Sequence, residues 1–290
     1  MPETRSGTEP FLSPPEAASV RSAPGERELR QKLARQEVVE RRRIVLKLRQ
    51  ALADRRLCLY FQPIFSLETG RAQGAEAQLR LAHSRRGLIP AGHFLPLAEQ
   101  SEVIIEVGGW MLREACREAA RLPGELRVAL ALSWRHLRSG RFVRHLLEAL
   151  HHSGIAPERL ELLVTETMLL DENDDAAFAL KALRGVGVRL ALNHFGTGYA
   201  SLAPLKRLPF TSLRLDASLV RNMDGEAAGA ALAQAAVEAG HALGCTVLAD
   251  GIETAAQYET LRALRADEGQ GGYFGPALPG EELAGRLRAR

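Results

Sequence analysis

Short apolar, β-rich segments alternate with amphipathic helical segments along most of the chain. The β-rich segments are residues 57–62, 74–79, 126–132, 160–165, 188–192, 212–215, 246–249 and, with a less regular pattern, 270–274. Helical periodicity marks residues 107–121, 176–185, 227–243 and 255–264. This alternation is typical of βα units in a parallel sheet, and about eight strands favour a closed barrel over an open sheet. The pattern predicts an α/β fold, a TIM-like (β/α) barrel.

The N-terminal part of the chain follows a different pattern. Residues 1–25 are rich in Pro, Ser, Gly and Glu and poor in large apolar side chains, which predicts a disordered tail. Good helix formers dominate from residue 26, so we expect a helical linker over residues 26–40 and a barrel domain over residues 41–290. The many basic residues here form either a site for an anionic partner or a solvated helix face, and the solvated face is the more common case. Interleaved aromatic residues are lacking, so no nucleic-acid partner is expected.

Composition and cysteine usage indicate a globular protein of a reducing compartment. Apolar residues make up 46% of the chain and charged residues 25%, as in proteins that bury a sizeable core. Cys58, Cys116 and Cys245 lie far apart in apolar runs, which predicts reduced core thiols and neither a disulfide framework nor a zinc site. No apolar stretch approaches the roughly 20 residues of a membrane span, and the first residues lack a signal-peptide core. We therefore expect a cytoplasmic protein without a membrane span.

Polar residues gather at the ends of the predicted strands, where the active sites of such barrels lie. They are Glu76, Glu166, Asn193, His194, Arg214, Asp216, Asp250 and Glu253. Charged groups at the ends of apolar strands are costly unless they are paired, hydrated or in contact with a ligand. The set indicates a divalent-cation pocket or the remnant of one. Taken singly, Glu76 and Glu166 are better explained as acidic caps of the helices that follow.

Ordered motifs along residues 41–290 resemble those of the EAL domain family. The segments are LYFQPI, GAEAQLR, GLIPAGHFLPLAE, VTET, FGTGYASL, LRLD, ADGIET and DEGQGGYFG. The resemblance implies an EAL-type barrel that hydrolyses cyclic di-GMP with two Mg²⁺ or Mn²⁺ ions. If the chain is a degenerate member of the family, the resemblance implies instead that it binds cyclic di-GMP without hydrolysis or acts as a protein partner. Because EAL domains often pair, it also implies a homodimer and a possible regulatory protein partner.

At the metal-binding positions that the resemblance implies, this chain has only some of the residue types of the family. The signature glutamate is Glu76, although the signature itself reads Glu76-Ala77-Gln78, and Ala131 stands where the family has a metal-binding Asn. The remaining positions of the implied remnant site are Glu166, Asn193, His194 and Asp250. Ala131 has no ligand atom, Asn193 offers a neutral oxygen, and His194 suits Mn²⁺ or Zn²⁺ better than Mg²⁺.

The catalytic and ligand-binding positions that the resemblance implies are altered as well. Arg214 replaces the catalytic Lys, Asp250 replaces a Glu often assigned as general base, and Glu253 is kept. The residues expected to contact the dinucleotide are Gln62, Arg80, Arg214 and Gln270. Losing one well-placed electrostatic group costs about 3 kcal/mol of catalysis, so several such changes together predict little turnover.

The resulting prediction is a degenerate EAL protein in cyclic di-GMP signalling, a non-hydrolytic receptor or a regulatory scaffold. Binding should then require no cofactor, since fewer acidic groups repel the ligand's phosphates. Two alternatives stay open. The first is a weak phosphodiesterase that uses Mg²⁺ or Mn²⁺, and the second is a protein-interaction scaffold without a ligand.

Overall fold

The computed structural model describes residues 24–169, 175–197, 208–223 and 227–288 as a single barrel with helices around it. The strands that close the barrel are β1 (Leu57–Ser66), β2 (Ala72–His83), β4 (Arg127–Ala131), β5 (Leu160–Thr165), β6 (Arg189–Phe195), β7 (Ser212–Leu215), β8 (Thr246–Ala249) and β9 (Glu268–Gly269). Two short strands, β3 (Gly87–Pro90) and β10 (Leu278–Pro279), pair on the outside with β2 and β1. The predicted barrel is confirmed.

The first barrel strand runs against the others, which the alternation pattern did not indicate. β1 pairs antiparallel with both β2 and β9, whereas the pairs from β2 and β4 through to β8 and β9 are parallel. Only five residues, 67–71, join β1 to β2, and Gly70 adopts a positive φ of 67° in that turn. Such a short connection makes a hairpin, because a parallel crossover needs a dozen or more residues.

The helices lie at the predicted places, with additions. They are α1 (Pro24–Ala53), α2 (Leu95–Ala98), α3 (Val103–Ala119), α4 (Trp134–Arg138), α5 (Phe142–Ser153), α6 (Asp175–Val186), α7 (Ala217–Arg221), α8 (Ala227–Ala242), α9 (Ala255–Ala263) and α10 (Gly280–Arg288). Short 3₁₀ turns cover Ala91–His93, Pro157–Arg159 and Glu166–Leu169. Within the described residues, no helix combines the length and apolar character that a membrane crossing requires.

The N-terminal helix is continuous from the predicted linker into the barrel domain. Leu48 and Ala51 of α1 are buried in the main core, and Arg49 forms an ion pair with Glu106 of α3 at 3.3 Å. The C-terminal end of α1 therefore packs on the barrel. The boundary at residue 40 stays a prediction, and most of the predicted disordered tail lies outside the described residues.

The final predicted strand is shorter than expected. We expected a strand over residues 270–274, but β9 is Glu268–Gly269, and Gln270 follows it. The chain turns immediately afterwards, because the backbone N–H of Phe274 donates to the carbonyl of Gly271. A side chain at Gly271 would lie 2.2 Å from the carbonyl oxygen of Ile252. The chain therefore turns at a glycine whose backbone lies close to that of Ile252, and the strand does not continue.

The apolar core lies mainly between the barrel and its helices. One small cluster lines the barrel interior and consists of Ile64, Ala129, Leu163, Ala191 and Leu248. Two of its members are alanines, and large charged side chains occupy the space that remains. Cys116 and Cys245 are buried and Cys58 is half-buried, all with free thiols.

Candidate functional site

A fully buried arginine lies at the centre of the site. Arg214 of β7 has no solvent-exposed side-chain surface, and its Nη2 donates to Glu76 Oε2 at 2.5 Å and to Gln270 Oε1 at 2.7 Å. The amide of Gln270 donates to the same Glu76 oxygen at 3.1 Å and to Gln62 Oε1 at 3.2 Å. Burial alone would lower the pKa of Arg214, but the carboxylates of Glu76 and Asp250 outweigh burial and raise it. The site therefore contains a permanent internal cation.

Strand pairing brings these side chains together. Gln62 of β1 lies directly opposite Glu76 of β2 in the antiparallel register. Gln270 follows β9, and its backbone N–H donates to the carbonyl of Ala249 on β8. Arg214 is in register with Leu248 of β8. Four residues that are distant in sequence thus meet inside the barrel.

The cluster extends toward the end of β2 through a further glutamine. Gln78 donates from Nε2 to Gln62 Oε1 at 2.8 Å and accepts from Arg80 Nη2 at 2.7 Å. Arg80 also donates from Nη1 to the carbonyl of Leu79 at 3.1 Å. Gln62, Gln78 and Arg80 are all half-buried, in contrast to the buried Gln270 and Arg214.

A histidine and an aspartate form a second polar contact on neighbouring strands. His194 Nδ1 lies 2.8 Å from Asp216 Oδ2, and the other oxygen of Asp216 accepts from the backbone of Ser218 at the start of α7. Burial would raise the pKa of Asp216, but the hydrogen bonds from Ser218 and His194 outweigh burial and lower it. His194 therefore serves as a hydrogen-bond partner of a helix-capping carboxylate.

Glu166 and Glu76 differ with respect to the helix-cap explanation. Glu166 is buried and begins the 3₁₀ turn Glu166–Leu169, as an acidic cap would. Its Oε1 accepts from the backbone of Gly196 at 3.4 Å, while its Oε2 has no hydrogen-bond partner among the described residues. Glu76 lies within β2 and begins no helix, so that explanation fails for it.

The remaining expected positions are spread around the same end of the barrel. Asn193 is half-buried near the end of β6, and Ala131 is exposed at the end of β4. Asp250 follows β8, and its pKa is raised because burial and the nearby Glu76 outweigh the attraction of Arg214. Glu253 is exposed, and its backbone N–H donates to Gln257 at the start of α9 at 2.7 Å.

Comparison with known proteins identifies the family. The family model described as EAL domain matches residues 45–277. This chain belongs to the EAL domain family. Among curated relatives, it is 36% identical over 248 residues to the bifunctional diguanylate cyclase/cyclic di-GMP phosphodiesterase MucR of Pseudomonas aeruginosa. It is 37% identical over 247 residues to the cyclic di-GMP phosphodiesterase NbdA of the same species.

A solved structure supports the same assignment. The structure of the PaMucR phosphodiesterase in complex with c-di-GMP superimposes with a TM-score of 0.79 at 36% identity, covering 83% of this chain and 99% of that one. The matches to the curated MucR and NbdA sequences cover 84% of this chain but only 36% and 32% of those relatives. The chain therefore spans about a third of their length.

The charged and amide side chains at the centre of this EAL domain contact one another. In the parts of the chain that the structure describes, no three His, Cys, Asp or Glu side chains converge as metal ligands would. The guanidinium of Arg214 and the amide of Gln270 already contact the carboxylate of Glu76, and Ala131 provides no donor. Mg²⁺ needs near-octahedral oxygen coordination, so an ion bound to Glu76 would have to displace these contacts.

Two of the expected ligand contacts lie inside the barrel. Arg214 and Gln270 were expected to contact the dinucleotide, but both are buried and bonded to other side chains of the EAL domain. In this structure they hold Glu76 and Gln62, and their contact with the dinucleotide stays a prediction. Gln78 was not among the expected site residues. The two-residue period of a strand would have indicated it, since Glu76, Gln78 and Arg80 alternate along one face of β2.

Proposed function

We propose that this EAL domain binds cyclic di-GMP without hydrolysing it and acts in signalling as a receptor or regulatory scaffold. The observation that carries the proposal is the ion pair between Arg214 and Glu76 inside the barrel. The guanidinium of Arg214 neutralises the carboxylate of Glu76, which a metal ion at this site would need as a ligand. The site is therefore suited to a ligand and poorly suited to metal-assisted attack on a phosphodiester.

The charge balance of the site supports metal-free binding. Cyclic di-GMP carries two negative phosphodiesters, which carboxylates repel unless a cation compensates. Arg214 compensates Glu76, and Asn193 presents a neutral amide where the family motif has an Asp. Both features lower the electrostatic cost of binding the dianion in the absence of an ion.

The half-buried side chains next to this ion pair offer the contacts for the ligand. Arg80 offers a guanidinium to a phosphate, which it can contact through two parallel hydrogen bonds. Gln62 offers amide N–H donors, because its oxygen already accepts from Gln78 and Gln270. The complex of the related PaMucR phosphodiesterase with c-di-GMP supports this choice of ligand.

Slow or absent hydrolysis follows from the same residues. Arg214 replaces a catalytic Lys, stays protonated at all accessible pH values and is enclosed by Glu76 and Gln270. Asp250 is shorter than the Glu of the family motif by one methylene, and catalytic geometry must hold to within about 0.5 Å. We therefore expect no well-placed general base that would activate a water molecule for attack.

Binding and turnover should be measured on the same samples. Isothermal titration calorimetry of purified protein with cyclic di-GMP is run in EDTA and in Mn²⁺, and chromatography then measures the linear dinucleotide. We expect similar binding in both buffers and no product above the level of a protein-free sample. Product formed only with Mn²⁺ would establish the weak phosphodiesterase, with Glu76, Glu166, His194 and Asp250 around the ion. No heat in either buffer would favour a scaffold without ligand.

The phosphodiesterase alternative has one specific observation in its favour. Both MucR and NbdA carry phosphodiesterase in their names and are more than a third identical to this chain. A Mn²⁺-dependent rise in the thermal unfolding midpoint of the ligand-free protein would be its first sign, because an ion that binds only the folded state stabilises it. We expect no such rise.

A homodimer, a regulatory protein partner and a cytoplasmic location belong to the same proposal. The three free thiols, far apart in the chain, support a reducing compartment. Light scattering coupled to size-exclusion chromatography, with and without cyclic di-GMP, tests the dimer. A mass of one chain in both conditions would contradict it.

A further inference from the structure

A glutamine takes the last position of the family's three-residue signature in this chain. Gln78 stands where the signature name has a leucine, two residues after Glu76 and two before Arg80 on the same face of β2. Its side chain is half-buried between the two residues that we propose as ligand contacts. Both ends of its amide are bonded, the nitrogen to Gln62 and the oxygen to Arg80.

Among an amide, a leucine and a carboxylate at this position, only the amide can make both of these contacts at once. A glutamine offers N–H donors at one end and a carbonyl acceptor at the other, whereas a leucine offers neither and a carboxylate only accepts. Because Arg80 can only donate, the oxygen of Gln78 faces Arg80 and its nitrogen faces Gln62. The orientation of this amide is thereby fixed by its neighbours.

The bond from Gln78 also fixes the orientation of Gln62. The Oε1 atom of Gln62 accepts from Gln78 at 2.8 Å and from Gln270 at 3.2 Å, which uses both lone pairs of that oxygen. The N–H groups of Gln62 are then the end of the amide left to meet a ligand. A phosphate oxygen or a guanine carbonyl is the acceptor that such an end recognises.

The bond to Gln78 limits the freedom of Arg80 in the same way. Nη2 donates to Gln78 at 2.7 Å and Nη1 donates to the carbonyl of Leu79 at 3.1 Å, so the guanidinium plane is held at two points. Its remaining N–H groups stay available to a phosphate. Side chains that are ordered before binding lose less entropy on contact with the ligand, which raises affinity.

We propose that Gln78 is a positioning residue for metal-independent binding of cyclic di-GMP, acting by orienting both Gln62 and Arg80. This inference rests on the proposed function and deepens it. It assigns to the leucine position of the signature a role that leucine cannot perform.

The test compares cyclic di-GMP affinity in EDTA for the wild type and three variants. Gln78→Met keeps the length of the side chain without its hydrogen bonds, and Gln78→Leu restores the residue of the signature. We expect both to bind roughly three- to tenfold more weakly, the loss expected for one or two neutral hydrogen bonds. Gln73→Met is the matched control on the same strand and should bind as the wild type does. Thermal unfolding midpoints verify that each variant is folded.

A double-mutant cycle separates positioning from a general effect on structure. In an Arg80→Ala background, Gln78→Met should lower affinity by less than it does alone, because one of its two targets is gone. Equal losses in both backgrounds, or wild-type affinity in both Gln78 variants, would overturn the inference and leave the proposed function standing. Absence of binding by the wild type in EDTA would overturn both.

Discussion

The two ends of the barrel interior carry buried ion clusters of different character. Where the parallel strands begin, Arg127 contacts both Glu161 and Glu268, and Arg189 contacts Glu161 at 3.6 Å. We call these four residues the lower cluster. Near the ends of the strands, Arg214 contacts Glu76 within a group of glutamines. Arg214 and Glu76, with Gln62 and Gln270, form the upper cluster.

The two clusters differ in how their charged atoms are paired. Two arginines face two carboxylates in the lower cluster, and Arg127 bridges strands on opposite sides of the barrel. Both clusters contain atoms without a hydrogen-bond partner among the described residues. In the lower cluster these are Glu161 Oε1 and Arg189 Nε, which form an ion pair with each other at 3.6 Å, whereas in the upper cluster they are Nε and Nη1 of Arg214. Buried groups without partners cost stability and concentrate at functional sites. We therefore assign the lower cluster to the fold and propose the upper cluster as part of the ligand site.

The largest expected effect is on stability, from the lower cluster. Arg127→Met removes the cation that Glu161 and Glu268 share, so two carboxylates stay buried with less compensation. We expect the free energy of unfolding in urea to fall by about 3–5 kcal/mol. Arg262→Met, which breaks an exposed pair with Glu259, is the control and should change stability by less than about 1 kcal/mol. Folded Arg127→Met protein should still bind cyclic di-GMP as the wild type does, and a large loss of affinity would erase the contrast between the two clusters.

Arg214→Met should lower the free energy of unfolding less than Arg127→Met does, and it should clearly weaken binding of cyclic di-GMP. Glu76 loses its cation, but its side chain is 21% exposed and can regain water. We expect a loss of about 2 kcal/mol in the free energy of unfolding, less than for Arg127→Met. Affinity for cyclic di-GMP should also fall, because Glu76 then repels the phosphates. Unchanged affinity in calorimetry would show that the ion pair is structural at this end too.

The barrel was predictable because periodicity reports which faces are buried. Eight short apolar segments between amphipathic helices have few other arrangements that bury all of them. The direction of β1 was missed, since direction depends on the length of the 67–71 turn and not on the apolar pattern. The extent of β9 was missed because a close backbone contact at Gly271 ends it, and such contacts join residues far apart in sequence.

The site was predictable as a set of residues but not as a set of contacts. The motifs indicated Gln62, Glu76 and Gln270, and the structure brings these three together. Sequence alone could not show that Arg214 lies wholly inside the barrel with its Nη2 turned to Glu76 and Gln270, because burial depends on how the strands tilt and close. Its expected phosphate contact stays a prediction.

Removal of the proposed phosphate contact should affect binding alone. Arg80→Ala deletes a half-buried guanidinium whose bonds within the protein are to Gln78 and the carbonyl of Leu79. We expect affinity for cyclic di-GMP in EDTA to fall about tenfold or more, since hydrogen bonds to charged groups contribute about 1.5–3 kcal/mol. Unfolding in urea should change by less than about 1 kcal/mol. Affinity equal to that of the wild type would remove Arg80 from the site.

The smallest expected effect is a gain in stability at the upper end, with a defined pH dependence. The pKa of Asp250 is raised from its ordinary 3.8 because burial and Glu76 outweigh Arg214, Gly251 and His194. A carboxyl with a raised folded-state pKa favours folding below that ordinary value, and this contribution is lost as the pH rises through the folded-state pKa.

Asp250→Asn should therefore be more stable than the wild type at pH 7, since Asn carries no charge to bury. We expect the thermal midpoint to rise by about 2 °C, and the difference to shrink as the pH is lowered toward 3.8. Glu268→Gln in the lower cluster is the contrast, because there a carboxylate bonded to Arg127 is lost and stability at pH 7 should fall. If both substitutions shifted the midpoint in the same direction, the charge of Asp250 would contribute to the fold as Glu268 does. If they shift it in opposite directions, the upper end retains a charge that the fold alone does not favour, as expected where a ligand binds.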